Sequence, residues 1–376
     1  MSKFIPVTQP FLPPLDEFTP FLEKIWESKH VTNGGPFHAQ LEASLCDYLG
    51  VEHLSLFSNG TLALITALQA MKISGEVITT PFSFVATTHA LHWNGIRPVF
   101  ADIDPVSMNL DPARIEAAIT PDTTAILPVH VYGNPCDVDA IERIADNYGL
   151  RVLYDAAHAF GVRRHGRSIL NCGDMSVLSF HGTKIFNTFE GGAIICQDAK
   201  TKRRIDHLKN FGFVDEVTVT GPGINGKMNE LQAAFGLLQL QYMDQILESR
   251  ARIAERYRLA LQNVAGLILH DVPAHSTRNF SYYPVRVTAD FPVTRDALYE
   301  AFRAMNILAR RYFHPLISEF PTYRGLPSAQ RDNLPVASEI SQQVICLPIY
   351  PTLETRDQDR IIDVILHAAG LQQHAS

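Results

Sequence analysis

The sequence predicts an α/β protein: a mostly parallel sheet in a large domain, followed by a smaller C-terminal α/β domain. Three observations carry this. From about residue 50 to 200, short β-rich runs alternate with helical segments, as in a parallel sheet covered on both faces. After Gly223 the pattern changes to one long helical stretch and then a second, shorter mixed series. A chain of 376 residues exceeds what one small core organises and fits one large and one smaller domain, divided here into 1–250 and 251–376.

Taken in order, Ser58-Asn59-Gly60-Thr61 opens a helix over residues 62–71. Strands follow at 76–80, closed by Pro81, and at 98–102, 125–130 and 151–155. Between them, helices are predicted over 111–119 and 137–150. Asp111 and Asp137 supply N-caps, and Pro112 suits the first helical position. Residues 177–180 read as a further strand. The helical pattern at 230–258 has few breakers and is taken as one connector out of the large domain. Residues 282–287, 295–305 and 357–369 then form the smaller domain.

Hydrophobic content of 46%, charged content of 19% and a net charge of −7 describe an ordinary globular protein with no basic run for nucleic acid. The N-terminus lacks the apolar core of a signal peptide, and no apolar stretch approaches the roughly 20 residues that span a bilayer. A cytoplasmic location without a membrane partner is the expectation. The five cysteines are scattered without a C-x-x-C pair and read as reduced thiols. His89 and His92 lack a third ligand nearby, so no metal site is expected. No G-x-G-x-x-G follows a strand, which argues against a nicotinamide dehydrogenase.

The chemistry concentrates in two segments. Lys184 lies in residues 179–192, among apolar neighbours and beside the turn Glu190-Gly191-Gly192. Asp155 ends the apolar run of the 151–155 strand, at the carboxyl edge where such sheets place ligands. A lysine amine can hold an aldehyde cofactor as a Schiff base, and a buried aspartate can keep a proton on a pyridine nitrogen. Together they point to pyridoxal phosphate. Its phosphate finds donors where Ser58-Asn59-Gly60-Thr61 opens a helix, with hydroxyls from Thr61 and Ser179 added. An aromatic from residues 81–88 can stack on the ring, and the pattern leaves Phe82 and Phe84 both open.

At these residues the chain resembles the nucleotide-sugar aminotransferases of pyridoxal-phosphate fold type I. The resemblance runs through Thr32-Asn33-Gly34-Gly35-Pro36, residues 58–64, 76–87, 128–133 and 155–159, the lysine segment, 225–234 and 347–351. It implies that Lys184 is the Schiff-base lysine, Asp155 the pyridine partner and Phe84 the stacking aromatic. Gly60, Thr61 and Ser179 fall at phosphate positions, and Asn225 completes that site from a neighbouring subunit, which implies a homodimer with shared active sites. His158 stands where relatives carry glutamine near the cofactor's phenolic oxygen, and Lys227 where arginine is common. The resemblance puts Asn33, His181, Arg311 and Tyr312 near the substrate. His181 either meets a sugar hydroxyl, helps move the proton, or is hydrogen-bonded to structure alone. The arginine pair at 310–311 is set to meet a diphosphate. The Ser-Phe-His-x-x-Lys form is more similar to the branch that aminates carbon 4. The implied reaction takes an amino group from glutamate to a 4-keto sugar carried on a nucleotide. Lys184 argues against the dehydratase branch, which has histidine there.

Overall fold

The computed structural model describes residues 4–371. Helices α1 (Leu15–Ser28) and α2 (Pro36–Leu49) lead into β1 (His53–Phe57) and α3 (Gly60–Ala70). The alternation continues with β2 (Glu76–Thr79), α4 (Ala86–Trp93), β3 (Arg97–Phe100), α5 (Pro112–Ala117), β4 (Thr123–Leu127), α6 (Val138–Tyr148) and β5 (Arg151–Asp155). A short pair, β6 (Arg163–Arg164) and β7 (Arg167–Ser168), precedes β8 (Met175–Ser179), β9 (Gly192–Cys196) and α7 (Ala199–Leu208). The predicted caps are in place: Asp111 accepts from the Ala113 N–H at 3.0 Å and Asp137 from the Ala140 N–H at 3.1 Å.

The main sheet has 7 strands in the order β1-β9-β8-β5-β4-β2-β3. Only β9 runs against the others, antiparallel to both β1 and β8. Phe57 and Ser179, the last residues of β1 and β8, both lie opposite Gly192. Two strand ends therefore converge on one glycine, and the chain leaving each of them carries predicted site residues. Among the described residues no helix is long and apolar enough to cross a membrane.

The long helix predicted over 230–258 is two helices, α8 (Glu230–Gln241) and α9 (Met243–Leu261). The break is at Tyr242, with φ −97° and ψ 0°, and no glycine or proline marks it. Its cause is tertiary. The Tyr242 hydroxyl donates to Glu17 at 2.6 Å and its ring packs on Phe11, which ties this point to the N-terminal segment. Helix α8 stays against α1 and α2, while α9 leaves toward the second sheet. That sheet joins β10 (Leu267–Leu269), β11 (Tyr283–Val287) and β12 (Val344–Leu347), all antiparallel, with α10 (Arg295–Ala304), α11 (Pro335–Gln343) and α12 (Thr355–Ala368) around it. Its core includes Tyr257, Val285, Phe302 and Ile361, and also Ile5 from the far end of the chain.

Remote charges cap two helices. Buried Glu230 accepts from the Phe37 and His38 N–H groups at 3.0 and 2.7 Å, at the start of α2. Gly35 makes room for it, since a Cβ there would lie 2.5 Å from the Glu230 Cδ. Buried Asp102, just past β3, accepts from the Val336 and Ala337 N–H groups at 2.9 and 2.8 Å, at the start of α11. Arg295 donates to the Ser341 and Val344 carbonyls at 2.8 and 2.9 Å, at the other end of α11. Anion at the N-terminus and cation at the C-terminus both complement the helix dipole. Asp102→Ala strips the Val336 and Ala337 N–H groups, and that of Ile103, of their acceptor and should cost roughly 2 kcal/mol. A urea midpoint unchanged from wild type would refute this.

Candidate active site

The carboxyl ends of β5 and β8 and the start of α3 open onto a cavity of about 300 Å³. Its walls carry Gly60, Thr61, Phe84, Asp155, His158, Ser179, His181, Lys184 and Tyr312 from the predicted set. Arg310, one of the arginine pair expected to meet a diphosphate, also lines it, together with Asn59, Ser83, Thr87, Glu190 and Tyr282, to which sequence reasoning gave no role of their own.

Lys184 lies in the turn after β8, its N–H donating to the His181 carbonyl at 2.8 Å. Its amine sits 6.0 Å from the centre of the Tyr282 ring. Burial of the amine lowers its pKa to about 8, although the Asp155 charge works in the opposite direction. About a tenth of the amine is therefore neutral at pH 7, far more than for an ordinary lysine.

Asp155 is buried at the end of β5. The Thr87 hydroxyl donates to its Oδ2 at 2.7 Å, and the Ala157 N–H to its Oδ1 at 3.1 Å. The Ser83 and Thr87 hydroxyls are 3.0 Å apart. Because Thr87 spends its proton on Asp155, Ser83 must be the donor to Thr87, and the three form a directed chain. Burial raises the Asp155 pKa, while these donors and the Lys184 charge oppose the rise.

His158 is buried on the adjoining wall. The Tyr132 N–H donates to its Nδ1 at 3.2 Å, which assigns the proton to Nε2. Nε2 lies 3.4 Å from the Tyr282 hydroxyl. Burial, then the Lys184 charge, pulls the imidazole pKa well below its ordinary value, so the ring is neutral.

Two glycines shape the opposite end. A Cβ on Gly60 would lie 3.0 Å from the Ser179 Cβ, and one on Gly192 would lie 2.8 Å from the Gly60 nitrogen. This close approach brings the Ser179 hydroxyl beside the first turn of α3. There Asn59 caps the Leu62 N–H at 2.9 Å, and the N–H groups of the opening residues have no helical acceptor. Of the two candidate aromatics, Phe82 is core, packed edge-on against Tyr132 and Phe313, whereas Phe84 is 59% exposed at the cavity.

His181 accepts from the Thr183 N–H through Nδ1 at 3.2 Å, and its Nε2 lies 3.6 Å from Glu190 Oε1. Arg311, expected near the substrate, is turned away. It donates to Asp296 at 2.8 Å and stacks over Tyr299 at 4.4 Å. Arg310, Tyr312 and Phe313 line the cavity, while the Asp296 pairing holds the Arg311 side chain outside it. Asn33 is also outside it, on the α1–α2 connection, where its carbonyl meets the His30 ring at 3.0 Å. Asn225 is absent from this chain's own cavity; it lies in a backbone bridge with Asn210, on a loop pinned by a 2.9 Å bond from the Gly226 N–H to the Lys209 carbonyl.

Residues 15–366 match the DegT/DnrJ/EryC1/StrS aminotransferase family. The chain belongs to this family. Among aminotransferases similar to it, the dTDP-4-amino-4,6-dideoxy-D-glucose transaminase of Escherichia coli is 54% identical over 366 residues, covering 97% of this chain and 99% of that one. The crystal structure of DesI in the presence of its TDP-sugar product has a TM-score of 0.93 at 35% identity, covering 98% of this chain and 94% of that one. NtdA from Bacillus subtilis with bound cofactor PMP has a TM-score of 0.85 at 28% identity, covering 95% and 82%.

The cofactor of this aminotransferase is pyridoxal 5'-phosphate. The cavity fits it: an amine of lowered pKa, a buried carboxylate with its outer oxygens already paired, and a glycine-lined cradle of donors all border one space. One pH dependence follows. Only the neutral amine attacks an aldehyde, so the rate at which apoenzyme captures pyridoxal phosphate should rise with pH and reach half its limit near pH 8. Stopped-flow absorbance across pH 6–10 checks this; a rate that is flat across pH 8 contradicts it.

Proposed function

We propose that the chain transfers the amino group of glutamate to carbon 4 of dTDP-4-keto-6-deoxyglucose, giving dTDP-4-amino-4,6-dideoxyglucose. The observation that carries this is the 54% identity, nearly end to end, to the Escherichia coli transaminase of that name. The shared chemistry of the cavity supports it. When bound, the cofactor supplies an aldehyde that exchanges amines and a protonated ring that draws in electrons.

The chain's own residues do the rest. Lys184 is the covalent tether, and its freed amine takes a proton from one carbon and returns it to another. Asp155 holds the ring-nitrogen proton by its negative charge, and Thr87 fixes the carboxylate's rotation. His158, neutral and with its proton on Nε2, is a fixed donor for a phenolic oxygen. Gly60, Thr61 and Ser179 hold the phosphate. Phe84 covers the ring, and His181 with Tyr312 meets the sugar.

In this reading the working unit is a cytoplasmic homodimer, and Asn225 of the partner subunit completes each phosphate site. The loop before Asn225 supports this. Phe213 and Val219 pair across a bridge, and Val217 at its tip is 89% exposed, an apolar surface suited to a second copy. The large cofactor-binding domain is taken as 1–250 and the small domain as 251–376, with Ile5 lent to the small-domain core. The product class suits lipopolysaccharide O-antigen synthesis.

The test is the absorbance of the holoenzyme, titrated first with glutamate and then with the keto sugar. The cofactor's visible band should disappear with glutamate and return with dTDP-4-keto-6-deoxyglucose. A band that glutamate leaves unchanged removes glutamate as donor, and one that this sugar fails to restore removes it as acceptor.

A further inference from the structure

The two adjacent arginines of the small domain differ in one respect that bears on substrate binding. Arg311 is neutralised by Asp296. Arg310 faces the cavity, its guanidinium 5.3 Å from the centre of the Tyr312 ring, and no carboxylate among the described residues pairs with it. Its backbone is fixed to β12 by reciprocal hydrogen bonds with Cys346, at 3.1 and 2.7 Å. Apart from Lys184, Arg310 is the one lysine or arginine lining the cavity among the described residues. Lys184 is committed to the covalent tether, and His158 is neutral.

A guanidinium stays charged at any working pH and offers a planar fork that matches paired anionic oxygens. Stacking on Tyr312 holds that plane without neutralising it. Both substrates of the proposed reaction present such oxygens, the amino donor in its carboxylates and the nucleotide sugar in its diphosphate. They enter one cavity in alternation, never together. We propose that Arg310 is an anion anchor shared by the two half-reactions: it pairs with a carboxylate of a dicarboxylic amino donor in one and with the diphosphate in the other. The sharing rests on the reading above, in which glutamate and a nucleotide sugar use this cavity in turn.

The experiment is calorimetric titration of the holoenzyme with glutarate, an unreactive dicarboxylate, and with dTDP, alone and in competition. In wild type each ligand should weaken the other. Arg310→Gln should weaken both by about ten-fold or more, the scale of a charge-assisted hydrogen bond. Arg310→Lys, which keeps the charge but loses the fork, should fall between. The cofactor's visible absorbance should be the same in all three proteins, which shows the fold and tether intact. Unchanged affinity of Arg310→Gln for either ligand, or independent binding of the two in wild type, overturns the shared anchor while leaving the aminotransferase reading in place. Failure of wild type itself to bind glutarate or any of dTDP, UDP and GDP removes both substrates from this cavity and overturns both.

Discussion

Lys184→Ala is expected to lower kcat by about 10⁴-fold or more, the combined loss of a covalent tether and a positioned proton carrier. Lys184→Arg should not rescue it, because a guanidinium does not give up its proton at working pH. The tether is separable from the proton transfer by a second measurement. Without it the cofactor would rest on the non-covalent contacts proposed above alone, so prolonged dialysis should strip the variant and spare wild type. Multiple turnovers by Lys184→Ala at a rate near wild type would remove this lysine from the mechanism.

The second large effect is at Asp155. Asparagine preserves its shape, but its one carbonyl oxygen can accept from only one of Thr87 and Ala157, and it carries no charge to hold a proton on the ring nitrogen. A fall in kcat of roughly 10²–10³-fold is expected for Asp155→Asn, on the scale of losing a buried charge pair in the reacting state. The sign of the accompanying spectral change is fixed. A neighbouring carboxylate favours the protonated ring, so its loss lowers the pH at which the bound cofactor's ring deprotonates, read from absorbance against pH. Thr87→Val leaves the charge and removes one hydrogen bond to it. That should shift the same titration in the same direction by less and cost about ten-fold in kcat. Equal effects of Asp155→Asn and Thr87→Val would mean that orientation, and not charge, is what Asp155 contributes. An Asp155→Asn enzyme within about three-fold of wild type would mean neither.

The strand and helix alternation was readable because each element of the first 200 residues carries its own local signals: β-rich runs, Asp111 and Asp137 as caps, Pro81 and Pro112 at boundaries. The break at Tyr242 was not, because it is made by Glu17 and Phe11 from the far end of the chain and leaves no breaker in its own segment. The cavity shows the same contrast. Lys184, Asp155, Gly60 and Ser179 follow strand ends or open a helix, positions that sequence order alone places at one sheet edge. Thr87 lies within residues 81–88, the segment expected to supply a stacking aromatic. It lies on α4, and its role emerges only from a hydrogen bond to Asp155 at the end of β5. The choice between Phe82 and Phe84, and between Arg310 and Arg311, depends on which way each side chain points. Composition is silent on that; in the second case Asp296 and Tyr299, on α10, draw Arg311 away and leave Arg310, whose backbone pairs with Cys346, at the cavity.

That pairing is one end of a mechanical linkage. Asp102 caps α11, α11 runs directly into β12, and β12 holds the backbone of Arg310. Lys184, Asp155, Gly60, Thr61 and Ser179, proposed to hold the cofactor, by contrast lie at the strand ends of the main sheet and the start of α3. On the proposed roles, a lineage can therefore drift at Asp102, in α11 or along 310–313 and retune which anions the pocket accepts, without disturbing the lysine and aspartate to which the chemistry is assigned. Substrate preference and catalytic competence are written on separate pages of the same chain.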